Sequence, residues 1–87
     1  MQAVGLSGTR HLRHAEMFKT VAGAIRLLKK RIVATSAGDN GAVNVWNDKN
    51  GKYRCESYQY RSVLDSRVFS SFGGVRSWLK EWLKKID

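Results

Sequence analysis

Ala42-Val43-Asn44-Val45-Trp46-Asn47, then Asp48-Lys49-Asn50-Gly51, then Lys52-Tyr53-Arg54-Cys55-Glu56-Ser57-Tyr58-Gln59-Tyr60 is the stretch whose reading decides the fold. Two runs rich in β-branched and aromatic residues flank four turn formers, the pattern of a β-hairpin. If Asp48 to Gly51 makes a type I turn with Gly51 as the left-handed bulge residue, Val45 opposes Cys55, Val43 opposes Ser57 and Asn47 lies beside Tyr53. One face then carries Val43, Val45, Tyr53 and Cys55. The other carries Asn44, Trp46, Lys52, Arg54, Glu56, Tyr58 and Tyr60, with Trp46 directly across from Arg54. A two-residue turn at Asn50-Gly51 alone would slip the register, set Trp46 opposite Cys55 and mix apolar with charged side chains on both faces. The bulged register is preferred because it separates the faces.

Working outward, Ile32-Val33-Ala34-Thr35-Ser36 is a β-branched run, and Gly38-Asp39-Asn40-Gly41 turns it back into Ala42 to Asn47. Downstream, Val63, Leu64, Val68 and Phe69 around Asp65-Ser66 either extend the third strand or add a short fourth one after a tight turn. From Ala15 to Arg31 the residues Phe18, Val21, Ile25, Leu28 and Ile32 recur at intervals of three and four, which predicts a first helix. After Ser70 and Ser71, either able to cap, the stripe Val75, Trp78, Leu79, Trp82, Leu83 and Ile86 predicts a last, amphipathic helix, with Glu81 and Lys85 placed for an ion pair. The expected architecture is α+β: an N-terminal helix, a three- to four-stranded antiparallel sheet and a C-terminal amphipathic helix, both helices covering one sheet face. Residues 1–14 contain no acid and read as a flexible basic arm, leaving residues 15–87 as one domain.

At 87 residues, 43% hydrophobic and 26% charged, with no proline, the chain has the composition of one small folded domain. No stretch approaches the 18 or so consecutive apolar residues of a membrane span. Ala3-Val4-Gly5-Leu6 is too short for a secretory signal core, and a mitochondrial presequence is the minority reading of the acid-poor start. The single Cys55 cannot form an internal disulfide, which points to a reducing cytoplasm. His11, His14 and Cys55 lack the paired spacing of a structural zinc site, so neither metal nor cofactor is expected. Cys55, the two histidines, Glu56 and Asp65 form no catalytic motif, and Gly73-Gly74 lacks the Lys-Ser or Lys-Thr of a phosphate loop. The expectation is that this is not an enzyme.

Sixteen Lys and Arg against seven Asp and Glu give a net charge of +9. Residues 10–31 hold seven cations and one anion, residues 32–51 one cation and two anions, and residues 52–87 eight cations and four anions. A nucleic acid of unspecified type is therefore the expected partner. Phosphate contacts are assigned to Arg10, Arg13, Arg26, Lys29, Lys30, Arg31, Lys52, Arg54 and Arg61, and base or sugar contacts to Trp46, Tyr58 and Tyr60. The alternative is a protein-interaction module, a small inhibitor or adaptor encoded by a mobile element, that occludes an acidic surface on a larger protein. Edge strands leave a dimer open. The apolar stripe of the last helix, opposite Arg76, Lys80, Lys84 and Lys85, would also suit an anionic membrane surface or an acidic groove, although docking on its own sheet is preferred.

The order helix, three strands, helix is similar to the double-stranded RNA-binding domain, which implies phosphate-gripping cations at the start of the last helix. There this chain has Ser70-Ser71-Phe72-Gly73-Gly74-Val75-Arg76, with Arg76 the only cation, and Gly38-Asp39-Asn40-Gly41 replaces that family's Gly-Pro-x-His loop. Gly51 through Phe69 to Trp78-Leu79 also resembles the AP2-like and integrase arm-binding domains, which implies a three-stranded sheet lying in a major groove. Both likenesses are topological, and neither family is claimed.

Overall fold

A computed structural model describes residues 14–87. The apolar spacing between Ala15 and Arg31 is shared between a strand and a helix, because Thr20 interrupts it. Thr20 adopts extended backbone, and its Oγ1 accepts a 3.0 Å hydrogen bond from the Gly23 amide, so it caps a helix that starts one residue later. Strand β1 (Ala15–Met17) precedes it, and helix α1 spans Val21–Lys29. Phe18, in the connection, is buried all the same, and its amide donates to Thr35 O at 3.0 Å. The helix ends in a Schellman arrangement in which Arg31 N donates to Leu28 O (2.9 Å) and Ile32 N to Leu27 O (3.0 Å), with Arg31 left-handed at φ 61°.

The remaining elements are β2 (Val33–Gly38), β3 (Gly41–Asn47), β4 (Tyr53–Gln59), β5 (Ser62–Phe69) and α2 (Phe72–Ile86). Sheet order is β1-β2-β3-β4-β5, with β1 parallel to β2 and every other pair antiparallel. The expected N-terminal helix with a three- to four-stranded antiparallel sheet is thus corrected. The helix is the short crossover between two parallel strands, and the sheet is five-stranded and mixed. Three residues at Ala15–Met17 are too few to show a period, and only their partners Val33, Ala34 and Thr35 make them a strand. The helix-first order behind the likeness to the double-stranded RNA-binding domain is lost with it.

The β3–β4 register is the bulged one: Val43 opposes Ser57, Val45 opposes Cys55, Trp46 opposes Arg54 and Asn47 opposes Tyr53. Gly51 takes φ 79°, and Asp48 Oδ1 accepts the Asn50 and Lys52 amides at 2.8 and 2.9 Å. The β4–β5 turn falls at Tyr60-Arg61, both left-handed (φ 50° and 71°), and closes Gln59 on Ser62. Asp65-Ser66 therefore lies inside a full fourth antiparallel strand and makes no turn. With Ser57 opposite Asp65 and Tyr58 opposite Val63, Leu64 is an extra, bulged residue.

Ile25 and Leu28 of α1, Val75, Trp78, Leu79 and Ile86 of α2, and Ala34, Val43, Val45 and Cys55 of the sheet form one buried cluster. Both helices therefore pack on the same sheet face, and the thinnest dimension, 19 Å, is that of two layers. Gly74 lies so close to the Phe69 ring that a Cβ there would run into it. The far end of α2 is held by Asn40, whose amide donates to Ile86 O (2.8 Å) and whose Nδ2 donates to Asp87 O (2.6 Å). No helix among the described residues is long and apolar enough to cross a membrane.

Candidate nucleic-acid interface

The pairing brings the start of β2, the end of β3, the start of β4 and the end of β5 to one end of the sheet. Three junctions consequently meet there: α1 to β2, with Lys29, Lys30 and Arg31; β3 to β4, with Lys49 and Lys52; and β5 to α2, with Ser70 and Ser71. Side chains tie the three together. Lys52 Nζ donates to Ser70 Oγ at 3.1 Å, Lys29 Nζ stands 5.9 Å from the centre of the Phe72 ring, and the Tyr53 and Phe72 rings are 4.7 Å apart. All five cations are exposed.

Asp48 is the only acid in these junctions. The Lys52 backbone N–H first, then that of Asn50 and the charges of Arg54 and Lys52, hold its carboxyl below the ordinary range, although partial burial opposes them. The carboxylate is thus committed to its turn. Helix α2 starts at the same end with no acid in its first turn and no side-chain cap on Ser71. Its free amide ends add to the positive field. On the sheet face without helices, Trp46 and Arg54 oppose each other, half-buried, next to this end.

The other expected site residues fall elsewhere. Arg26 is exposed in the last turn of α1, one turn before Lys30. Tyr58 is level with Ala42, four residues and about 13 Å of strand from Trp46. Its ring is buried, with 9% exposure, and its hydroxyl donates to Glu56 Oε1. Burial first, then Glu56, raises its phenol above the ordinary range. A ring so enclosed offers no stacking platform. Tyr60, 90% exposed, and Arg61 sit at the opposite end, where the β2–β3 and β4–β5 turns flank a cleft of about 350 Å³. Arg10, Arg13 and His11, with nearly all of the expected arm, lie outside the described residues. His14 is described, and its Nε2 lies 2.8 Å from Glu16 Oε2.

Cys55 is fully buried at the sheet centre, and burial first, then the charge of Asp65, pushes its thiol up to about 12. It is a neutral core residue at any physiological pH. Among the described residues no group of three His, Cys, Asp or Glu side chains could hold a metal ion. Sequence reasoning passed over Lys49, although a lysine inside a four-residue turn is necessarily exposed, and its neighbour Lys52 had been counted. Compared with known proteins, the chain matches no family model, no curated protein and no solved structure.

Proposed function

We propose that this chain is a small basic module that binds nucleic acid, with Lys29, Lys30, Arg31, Lys49 and Lys52 on phosphates and Trp46, beside Arg54, against a sugar or base. The observation that supports this reading is the meeting of five exposed cations at three converging junctions, whose one acid, Asp48, is tied into its turn, while Glu16 on the adjoining strand β1 lies beside His14. Arg26 extends the same surface, and Arg10 and Arg13 add charge from the first thirteen residues. A single buried thiol suits a reducing cytoplasm. The role is binding, without catalysis.

The test is a titration with short single-stranded and duplex DNA and RNA at several salt concentrations. On duplex DNA the slope of log K against log salt should flatten by roughly 0.9 for each phosphate contact removed, so the triple variant K29A/K30A/R31A and the double variant K49A/K52A should each flatten it. Trp46→Ala should weaken binding with little change of slope. Slopes unchanged in both charge variants would overturn the assignment and leave this end to an acidic protein surface.

A further inference from the structure

Strand β5 is an edge: among the described residues only β4 pairs with it. It is eight residues long and exposes Val63 (53%), Leu64 (49%) and Val68 (50%). Edge strands are normally blunted with Lys, Pro or short length, and a long apolar one is a template for another strand. The chain has no proline anywhere, and the one cation in this strand, Arg67, sits two residues from the one acid, Asp65.

The arrangement of those two charges selects the occupant. Asp65 and Arg67 stand opposite Ser57 and Cys55 and so face the helices, while Ser66 and Val68 stand opposite Glu56 and Arg54 and face away from them. When two copies of a strand pair antiparallel about a two-fold axis, opposed residues must lie on the same face, so the register can shift only in steps that keep alternation. A register centred on Asp65 sets the two Asp65 carboxylates against each other. One centred on Arg67 does the same with the guanidinium groups. The register between them, centred on Ser66, places Asp65 opposite Arg67 of the second copy twice over, and brings each exposed Val68 to the end of the pairing where the exposed, bulged Leu64 of the other copy lies. Opposite charges and apolar pairs across strands stabilise, and like charges destabilise. Antiparallel pairing also points the two basic ends in opposite directions, which limits repulsion between chains of +9 each.

We propose that β5 is a self-association edge, on which a second copy of this chain adds its own β5 antiparallel about Ser66 to give a continuous ten-stranded sheet. This does not rest on the nucleic-acid reading, since it uses the sheet edge and none of the five cations. The full chain should sediment with twice the monomer mass, and Arg67→Asp, which sets acid against acid at both crossings, should weaken the dimer about tenfold or more. Leu64→Lys should also weaken it. For the register, Ser66→Cys should cross-link under mild oxidation, because directly opposed antiparallel residues have Cα atoms about 4.5 to 5.5 Å apart, within disulfide reach. The buried Cys55 does not compete. Ser62→Cys should not cross-link, since its two copies would lie about 27 Å apart. A monomer mass with no cross-link through Cys at position 66 overturns the proposal and leaves the edge to a strand from another protein. Equal cross-linking from position 62, or a dimer indifferent to Arg67→Asp, overturns the register.

Discussion

Arg31, Tyr60 and Arg61 hold left-handed backbone that a side chain makes costly. Arg31 occupies the helix-ending position where glycine is usual, and Tyr60-Arg61 occupies a two-residue hairpin turn best served by Asn-Gly. Arg31→Gly should therefore raise the unfolding free energy by about 1 kcal/mol, and the double change Y60N/R61G by about 1 to 2 kcal/mol. Denaturant midpoints should move up with the slope unchanged, and a fall in either midpoint would sink the strain argument. If Arg31 also contacts phosphate, its glycine variant gains stability while losing affinity. The same residues explain what was illegible. Gly51 announces its turn by residue type, whereas Tyr60-Arg61 announces nothing, so the sequence left open whether β4 continued or a further strand followed.

At the scale of elements, β5 and α2 are joined through Asp65. Its Oδ2 accepts the Trp78 indole N–H at 2.9 Å and the Trp82 indole N–H at 3.3 Å, while Oδ1 meets Arg67 Nε at 3.1 Å. The Trp78 bond foremost, then Arg67 and Trp82, lowers the carboxyl from its ordinary value against the opposing effect of burial. A depressed folded-state value contributes stability that is present above the unfolded value, near 4, and is lost as pH falls through the folded value. Asp65→Ala leaves two indole donors without an acceptor and should cost about 1 to 3 kcal/mol at neutral pH. It should also show a shallower loss below pH ~4, with tryptophan fluorescence as readout. An acid limb identical to that of the unsubstituted chain would count against the clamp. The apolar stripe of α2 was legible because six residues repeat at helical spacing. Asp65 was not, because nothing local marks a carboxylate as the acceptor for indoles thirteen and seventeen residues away. The stripe of α1 misled in its first third, because the helix starts only after its N-cap Thr20 and Phe18 reaches the core from a connection.

Over the whole molecule the charge is +9, and the five cations gathered at the basic end repel one another. Screening shortens from about 10 Å at 0.1 M to about 3 Å at 1 M salt. The melting temperature should accordingly rise with sodium chloride over that range, and less so in the K29A/K30A/R31A variant. A falling melting temperature would mean that attractive pairs such as Lys85–Glu81 outweigh the clustered repulsion.

The sequence by itself determined the β3–β4 hairpin and its register, the helical stripe of α2 and the size of the positive charge. Each depends on residues close together in the chain: turn chemistry, side-chain alternation, helical period and composition. Only the tertiary structure decided that Ala15–Met17 is a strand, that the sheet is mixed, and that Lys29, Lys30 and Arg31 share an end with Lys49 and Lys52 while Tyr60 and Arg61 lie at the other. The first two depend on pairing between residues eighteen positions apart and the third on how the successive hairpins stack into one sheet, and the free energy of each comes from backbone hydrogen bonds and burial that no segment has alone.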